Sequence, residues 1–168
     1  AMSGSMDDAR DAMTLMTDAI GRYETGRADE TNPVPFTELY QAYSVASANL
    51  ALRTAGWEDT ELAITIAKRL NELYTQLGNA WGKVHVANTL ALLMAQSLRL
   101  SPDLDRLVEA ESFAAEALAG ATDQPMFAPY FQNAACEVAT ERARQDRSID
   151  KAKASLADCN VASIGLIA

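Results

Sequence analysis

Apolar residues return every three or four positions along nearly the whole chain, the spacing of an α-helix face and not the alternation of a strand. Ala9, Ala12, Met13, Met16, Ala19, Ile20 and Tyr23 make one such stripe, with Ser5 as its cap and Gly26 as its stop. Phe36, Leu39, Tyr40, Tyr43, Ala46, Leu50 and Thr54 make a second. Ala63, Ile66, Ala67, Leu70, Leu73, Tyr74 and Leu77 make a third. The run from Trp81 to Met94 is apolar on most sides, as suits a helix in the middle of a body. Ser101-Pro102-Asp103 reads as a helix start, and Pro129 places the start of a sixth helix, because an interior proline costs about 3 kcal/mol. Ser148 can cap a seventh carrying Ile149, Ala152, Leu156 and Cys159.

Composition agrees. Alanine, the best helix former, fills about a fifth of the 168 residues, while glycine (8) and proline (5) are scarce. The expected fold is all-α, with about seven helices paired as antiparallel hairpins. Residues 1–5 read as a cloning remnant, with Met6 as the native start. A single domain is expected over 6–160: an N-terminal helix at 6–26, then hairpins at 35–77, 80–119 and 125–160. An uncharged apolar tail follows at 161–168.

A net charge of -9 repels phosphate backbones, so no nucleic-acid partner is expected. Arg142, Arg144, Arg147, Lys151 and Lys153 alternate with Glu141, Asp146 and Asp150, which reads as a solvated helix face. No apolar run reaches the ~18 residues of a membrane helix. Asp7, Asp8 and Asp11 stand where a leader would be basic, so a cytoplasmic setting is the expectation. Cys136 and Cys159 fall at similar heights of a hairpin turning near Arg147. Two buried structural thiols are the plainer reading for an intracellular chain, and a disulfide or redox pair is the other. One histidine and two cysteines do not complete a usual zinc set, so neither metal nor cofactor is expected.

Internal periodicity adds more. Asn49-Leu50-Ala51-Leu52 returns loosely as Asn88-Thr89-Leu90-Ala91-Leu92 and faintly as Asn133-Ala134-Ala135-Cys136, each in the first helix of a hairpin. In the second helices Ala63, Ala67 and Leu70 correspond to Ala110, Ala114 and Ala117, at a period of about 40 to 47 residues. Over roughly residues 35–159 this pattern resembles the tetratricopeptide repeat, with a Leu-Ala step in the first helix and small residues in the second. Glycines (Gly56, Gly78, Gly120) stand where that family ends a repeat with proline, and the second and third units are stretched. The resemblance implies hairpins stacked as a short right-handed superhelix, and a non-enzymatic interaction module.

The resemblance further implies a peptide groove lined by the first helices, with Asn49, Arg53, His85, Asn88, Leu92 and Asn133 as candidate contacts. An amide side chain donates and accepts together, so asparagines can grip an extended peptide backbone; the plain alternative is that they hold inter-helix hydrogen bonds. A protein or peptide partner is thus expected. Self-association through the apolar tail, as a homodimer or onto a further domain, is the second reading. Histidine phosphotransfer through His85 is a remote third, since the Lys-Gly step such domains carry after the histidine is missing. No catalytic constellation is found: Glu58/Glu61 and Glu109/Glu111/Glu116 read as solvated faces, and Trp57 and Trp81 as core or staple residues.

Overall fold

The structure, a computed structural model, describes residues 6–26, 34–122, 125–147 and, singly, 150, 153, 154 and 159. Among these residues it is all-helical. The helices are α1 (Met6–Gly26), α2 (Val34–Thr54), α3 (Trp57–Gln76), α4 (Ala80–Leu100), α5 (Leu104–Gly120) and α6 (Ala128–Gln145), with a 3-10 turn at Pro125–Phe127. The N-terminal five residues, the cap Ser5, the tail 161–168 and most of the seventh helix lie outside the described residues. Asp150, Lys153, Ala154 and Cys159 are helical. The single domain expected over 6–160 divides into two compact units, Ala1–Asn79 and Ala80–Ala168, at the boundary between the first two hairpins.

In the first unit α2 packs on α3, and α1 packs on α2. The hairpin pairs small residues: Ser44, Ser47, Ala48 and Ala51 on α2, and Thr60, Ala63 and Ala67 on α3, are all buried. Side chains this short let two helix backbones approach closely, while Leu50, Leu70 and Leu73 fill the space beside them. The left-handed residue of the connection is Ala55 (φ 47), not Gly56, which stands extended as the N-cap of α3. Gly78 (φ 65) closes α3 as expected: its N–H reaches Thr75 O and that of Asn79 reaches Tyr74 O, a Schellman ending that only a residue free of Cβ adopts without strain. Helix α1 buries Met13 and Ile20 and joins Thr17 Oγ1 to the Tyr43 hydroxyl at 2.5 Å. Ala12 and Ala19, expected inside, are exposed, because one helical neighbour covers only a narrow stripe of α1.

In the second unit α4, α5 and α6 all pack on one another. Helix α4 is the buried member, with Leu90, Leu93, Met94 and Leu98 fully inside. The expected alanine positions are where the helices meet: Ala87, Ala91, Ala110, Ala117 and Ala134 have no exposed surface, and Ala114 has 5%. Gly120 belongs to the same device. A Cβ there would lie 3.0 Å from Val84 Cβ and closer still to its methyl groups. Helix α5 starts two residues later than expected, at Leu104 and not at Pro102. Asp103 is the N-cap, its carboxylate accepting from the N–H groups of Asp105 (2.9 Å) and Arg106 (3.1 Å), with Pro102 ahead of it. Pro129 falls in the first turn of α6, where a missing N–H leaves nothing unpaired. Tyr130, expected in the α6 stripe, is 59% exposed.

Candidate interaction surface

The six candidate residues divide between the units. In the first, Asn49 and Arg53 are exposed on α2. The same outward face of α2 carries Val45 (57% exposed) and Leu52 (49%), so it is half apolar and has no helix over it among the described residues of its unit. In the second, His85, Asn88 and Leu92 sit at successive turns along one half-buried face of α4, and Asn133 is half-buried on α6, which packs on α4. Sequence reasoning placed these residues on helix faces, and there they are.

Chain direction explains what surrounds them. The start of α4, the end of α5 and the start of α6 come together at one end of the second unit, and the opposite termini meet at the other. The first end is aromatic. The His85 ring lies edge-on to Trp81 (centroids 4.3 Å), Phe127 (5.2 Å) and Phe131 (5.7 Å). Burial there pulls the imidazole below its ordinary value, because a charge in that setting loses its water. Lys83, on the same turn of α4, is engaged with Glu116 at 3.3 Å. A neutral imidazole packed against three rings can make an apolar wall or accept one hydrogen bond.

The second end is ionic, and it corrects the solvated-face reading for Glu141, Arg142 and Arg144, while Arg147, Asp150 and Lys153 are exposed as expected. The Arg142 guanidinium forks onto Glu111 with two 2.7 Å bonds, from Nε to Oε1 and from Nη2 to Oε2. That carboxylate holds Arg142 still more firmly protonated. Glu141 is buried at 2% exposure; its Oε1 accepts from Arg99 Nε at 2.8 Å, and its Oε2 faces Arg144 Nε at 2.8 Å as an ion pair. Arg99 also reaches Glu137, Arg106 reaches Ser97 Oγ, and Arg144 Nη2 donates to Leu98 O at 2.7 Å, serving one of the last carbonyls of α4. Glu111 and Glu116 therefore tie helices together. Alternating charge along one helix cannot reveal such ties, since the partners come from other helices.

Near the middle of α4 one asparagine oxygen makes no inter-helix bond. Asn88 Oδ1 is withdrawn from water with no hydrogen-bond partner, while Thr89 beside it is satisfied by His85 O at 3.1 Å. Asn71 Oδ1 on α3 and Gln145 Nε2 on α6 are orphaned in the same way. Such groups are few in native proteins, and each leaves about 1–3 kcal/mol of desolvation uncompensated.

Two further features depart from the plainer expectation. Trp57, expected as a core or staple residue, is 44% exposed. It borders an open cleft of about 410 Å³ in the first unit with Arg10, Gly56, Glu58 and Asp59, where Arg10 and Asp59 approach to 3.8 Å. Cys136 and Cys159, for which free thiols were the plainer expectation, are joined in a disulfide with Cα atoms 5.2 Å apart. Their similar height on the expected hairpin was the signal for it. Among the described residues no group of three or more His, Cys, Asp or Glu is placed to hold a metal, and no helix is long and apolar enough to cross a membrane.

Comparison with known proteins finds no family model, no curated protein and no solved structure that matches the chain.

Proposed function

We propose that the chain is a non-enzymatic interaction module of tetratricopeptide-like construction that holds an extended peptide segment. The observation that carries this reading is the orphaned Oδ1 of Asn88, on the α4 face that also bears His85 and Leu92. An acceptor kept dry and unpaired in the free protein is matched to a donor that arrives from outside, and a peptide backbone N–H is such a donor. Leu92 and the His85 ring, two turns apart on that face, would each receive an apolar side chain. Asn133 on α6 offers a second amide in the same unit. On α2, Asn49 and Arg53 among Val45 and Leu52 make a mixed face of the kind a peptide can cover, with Arg53 suited to a carboxylate. The stacking of small residues (Ala51, Ala63, Ala67, Ala91, Ala110, Ala114) supports the repeat construction. The proposal keeps the cytoplasmic setting expected from the sequence.

The test is selection of binders from a random displayed dodecapeptide library on the folded chain, then titration calorimetry of the recovered peptides. Asn88→Ala should weaken binding about tenfold, the worth of one hydrogen bond, with the far-UV spectrum unchanged. Recovered peptides that bind Asn88→Ala, Asn49→Ala and Asn133→Ala as well as the parent would remove the groove from these residues.

A second reading, self-association, is favoured by one observation. Leu104 (63% exposed), Val108 (59%) and Leu118 (38%) form an uncovered apolar strip along α5. Light scattering decides it: a dimer mass that Leu104→Lys/Val108→Lys returns to monomer supports it, and a monomer mass at all concentrations rejects it.

A further inference from the structure

The open cleft of the first unit belongs to neither asparagine face, and its lining has a chemistry of its own. Trp57 and Glu58 are exposed there, and Asp59 follows them on the first turn of α3. Two carboxylates beside an indole suit a planar organic cation: the acids supply charge and acceptors, and the ring face attracts the cation. Gly56 lines the cleft as bare backbone, so another chain can lie close to it. The volume, about 410 Å³, falls in the ordinary range of ligand clefts, about 300–1,000 Å³.

The fold already sets a guanidinium at this place. Arg10 comes from α1, which packs on α2, and its long side chain alone reaches the cleft. Its Nη2 stops 3.8 Å from Asp59 Oδ2, beyond the reach of a charge-assisted hydrogen bond, and the side chain stays 57% exposed. The Asp59 side chain is only 20% exposed, yet among the described residues no group donates a hydrogen bond to its carboxylate. Arg142 on Glu111 shows the contrast, with two bonds of 2.7 Å. Arg10 thus marks what the cleft accepts without satisfying it.

We propose that the Trp57 cleft takes the guanidinium of an arginine presented by a partner protein, which displaces Arg10 from Asp59. The incoming group forks onto the Asp59 carboxylate, stacks on the Trp57 ring and has Glu58 as a second counter-charge. The net charge of -9 draws a basic segment toward the chain. Arg10 is the internal competitor: it lowers the apparent affinity by the fraction of time it stands at Asp59. The site uses none of the asparagines of the proposed groove, so either assignment can fail without the other.

The experiment uses the full chain labelled with nitrogen-15, whose two tryptophans lie in different units. The probe is acetyl-Gly-Arg-Gly amide, followed through the indole N–H signals, with Trp81 as the reference. The Trp57 signal should move saturably and the Trp81 signal should not. The citrulline peptide, equal in shape and uncharged, should bind about tenfold more weakly, and the lysine peptide, equal in charge and not planar, about threefold more weakly. Ethylguanidinium, the same group without a peptide, should bind about tenfold more weakly than the arginine peptide. Glu58→Gln, a change at an exposed side chain, should weaken the arginine peptide about threefold. Arg10→Ala should tighten it about threefold. Arg22→Ala removes an equal charge from the same helix, at its pair with Asp18, and should leave the affinity unchanged. A Trp57 signal that stays still, or both indoles moving together, would overturn the proposal. So would citrulline or lysine peptides, or ethylguanidinium, that bind as tightly as the arginine peptide. Binding to Arg10→Ala no tighter than to Arg22→Ala would overturn it as well, because Arg10 would then be no competitor.

Discussion

Glu141 offers a sharp test of what holds the second unit together, because its partners are far better solvated than it is. Its side chain is 3% exposed, while those of Arg99 and Arg144 are 45% and 49% exposed. Removing the carboxylate and removing the arginines both break the two Glu141 ion pairs, and the second also removes the Arg99–Glu137 pair, yet they leave different remnants. In Glu141→Gln the guanidinium groups turn to water, and each keeps another acceptor: Glu137 for Arg99, Leu98 O for Arg144. The cost should be about 1 kcal/mol, the scale of exposed pairs. In Arg99→Met/Arg144→Met a buried carboxylate is stranded without a counter-charge, which costs about 3 kcal/mol even after allowance for the water that reaches the arginine ends. The gap, about 2 kcal/mol, is roughly a thirtyfold difference in the unfolding constant. It can be read by urea unfolding in a Trp57→Phe background, so that fluorescence reports Trp81 and thus the second unit alone. A Glu141→Gln loss equal to or larger than that of the double arginine variant would refute the reasoning. The network would then be worth its Coulomb attraction and not the avoided burial of a lone charge.

Three other outcomes follow from the same structure. Gly120→Ala should destabilise the second unit by about 1–3 kcal/mol, since the new Cβ meets Val84; Val84→Ala in the same chain should restore most of the loss, and an additive double variant would place the clash elsewhere. Asp103→Ala should cost about 1 kcal/mol in thermal or urea melts and Asp103→Asn much less, because either oxygen can accept from Asp105 and Arg106 at the start of α5. For His85, burial lowers the folded pKa below 6.5, so on acidification the unfolded chain binds the proton first. Its contribution is complete above the unfolded value and lost as pH falls through the folded one. Melting points from about pH 7.5 down to about pH 5.5 should fall more steeply for the parent than for His85→Leu, and parallel slopes would remove His85 from the cause.

The helices were legible because their information is local. Gly78, Asp103 and Pro129 each act within a turn of themselves, and the alanines at 63, 67, 110 and 114 announce close helix contacts by being too small for anything else. What stayed hidden depends on other helices. Nothing in the run from Glu141 to Lys153 says that Arg142 reaches Glu111 or that Glu141 is buried, since a charged residue on an amphipathic helix has the same spacing whether it meets water or a partner. Exposure of Ala12, Ala19 and Tyr130 went unforeseen for the converse reason: periodicity marks a face able to be buried, and the number of neighbours decides how much of it is. Likewise Ala55, not the adjacent glycine, takes the left-handed conformation, since Gly56 is needed extended to open α3.

The candidate surface and the close packing of α4 have one cause, and they make opposite predictions for Asn88. With Ala87 and Ala91 flush against their neighbours, the backbone of α4 has little freedom to shift, and Thr89 is already bonded to His85 O. Asn88 Oδ1 is thus held where it meets neither water nor a donor. The fold bears that penalty in the free state, and a ligand N–H removes it, so the group contributes to affinity at the expense of stability. Replacing it by a side chain of similar size with nothing to desolvate separates the two. Asn88→Leu should raise the urea midpoint of the free second unit, by an amount equivalent to about 1 kcal/mol, and weaken a selected peptide tenfold or more. A variant less stable than the parent would mean that Asn88 serves the fold through its amide N–H₂, and the case for an incoming donor would fall with it.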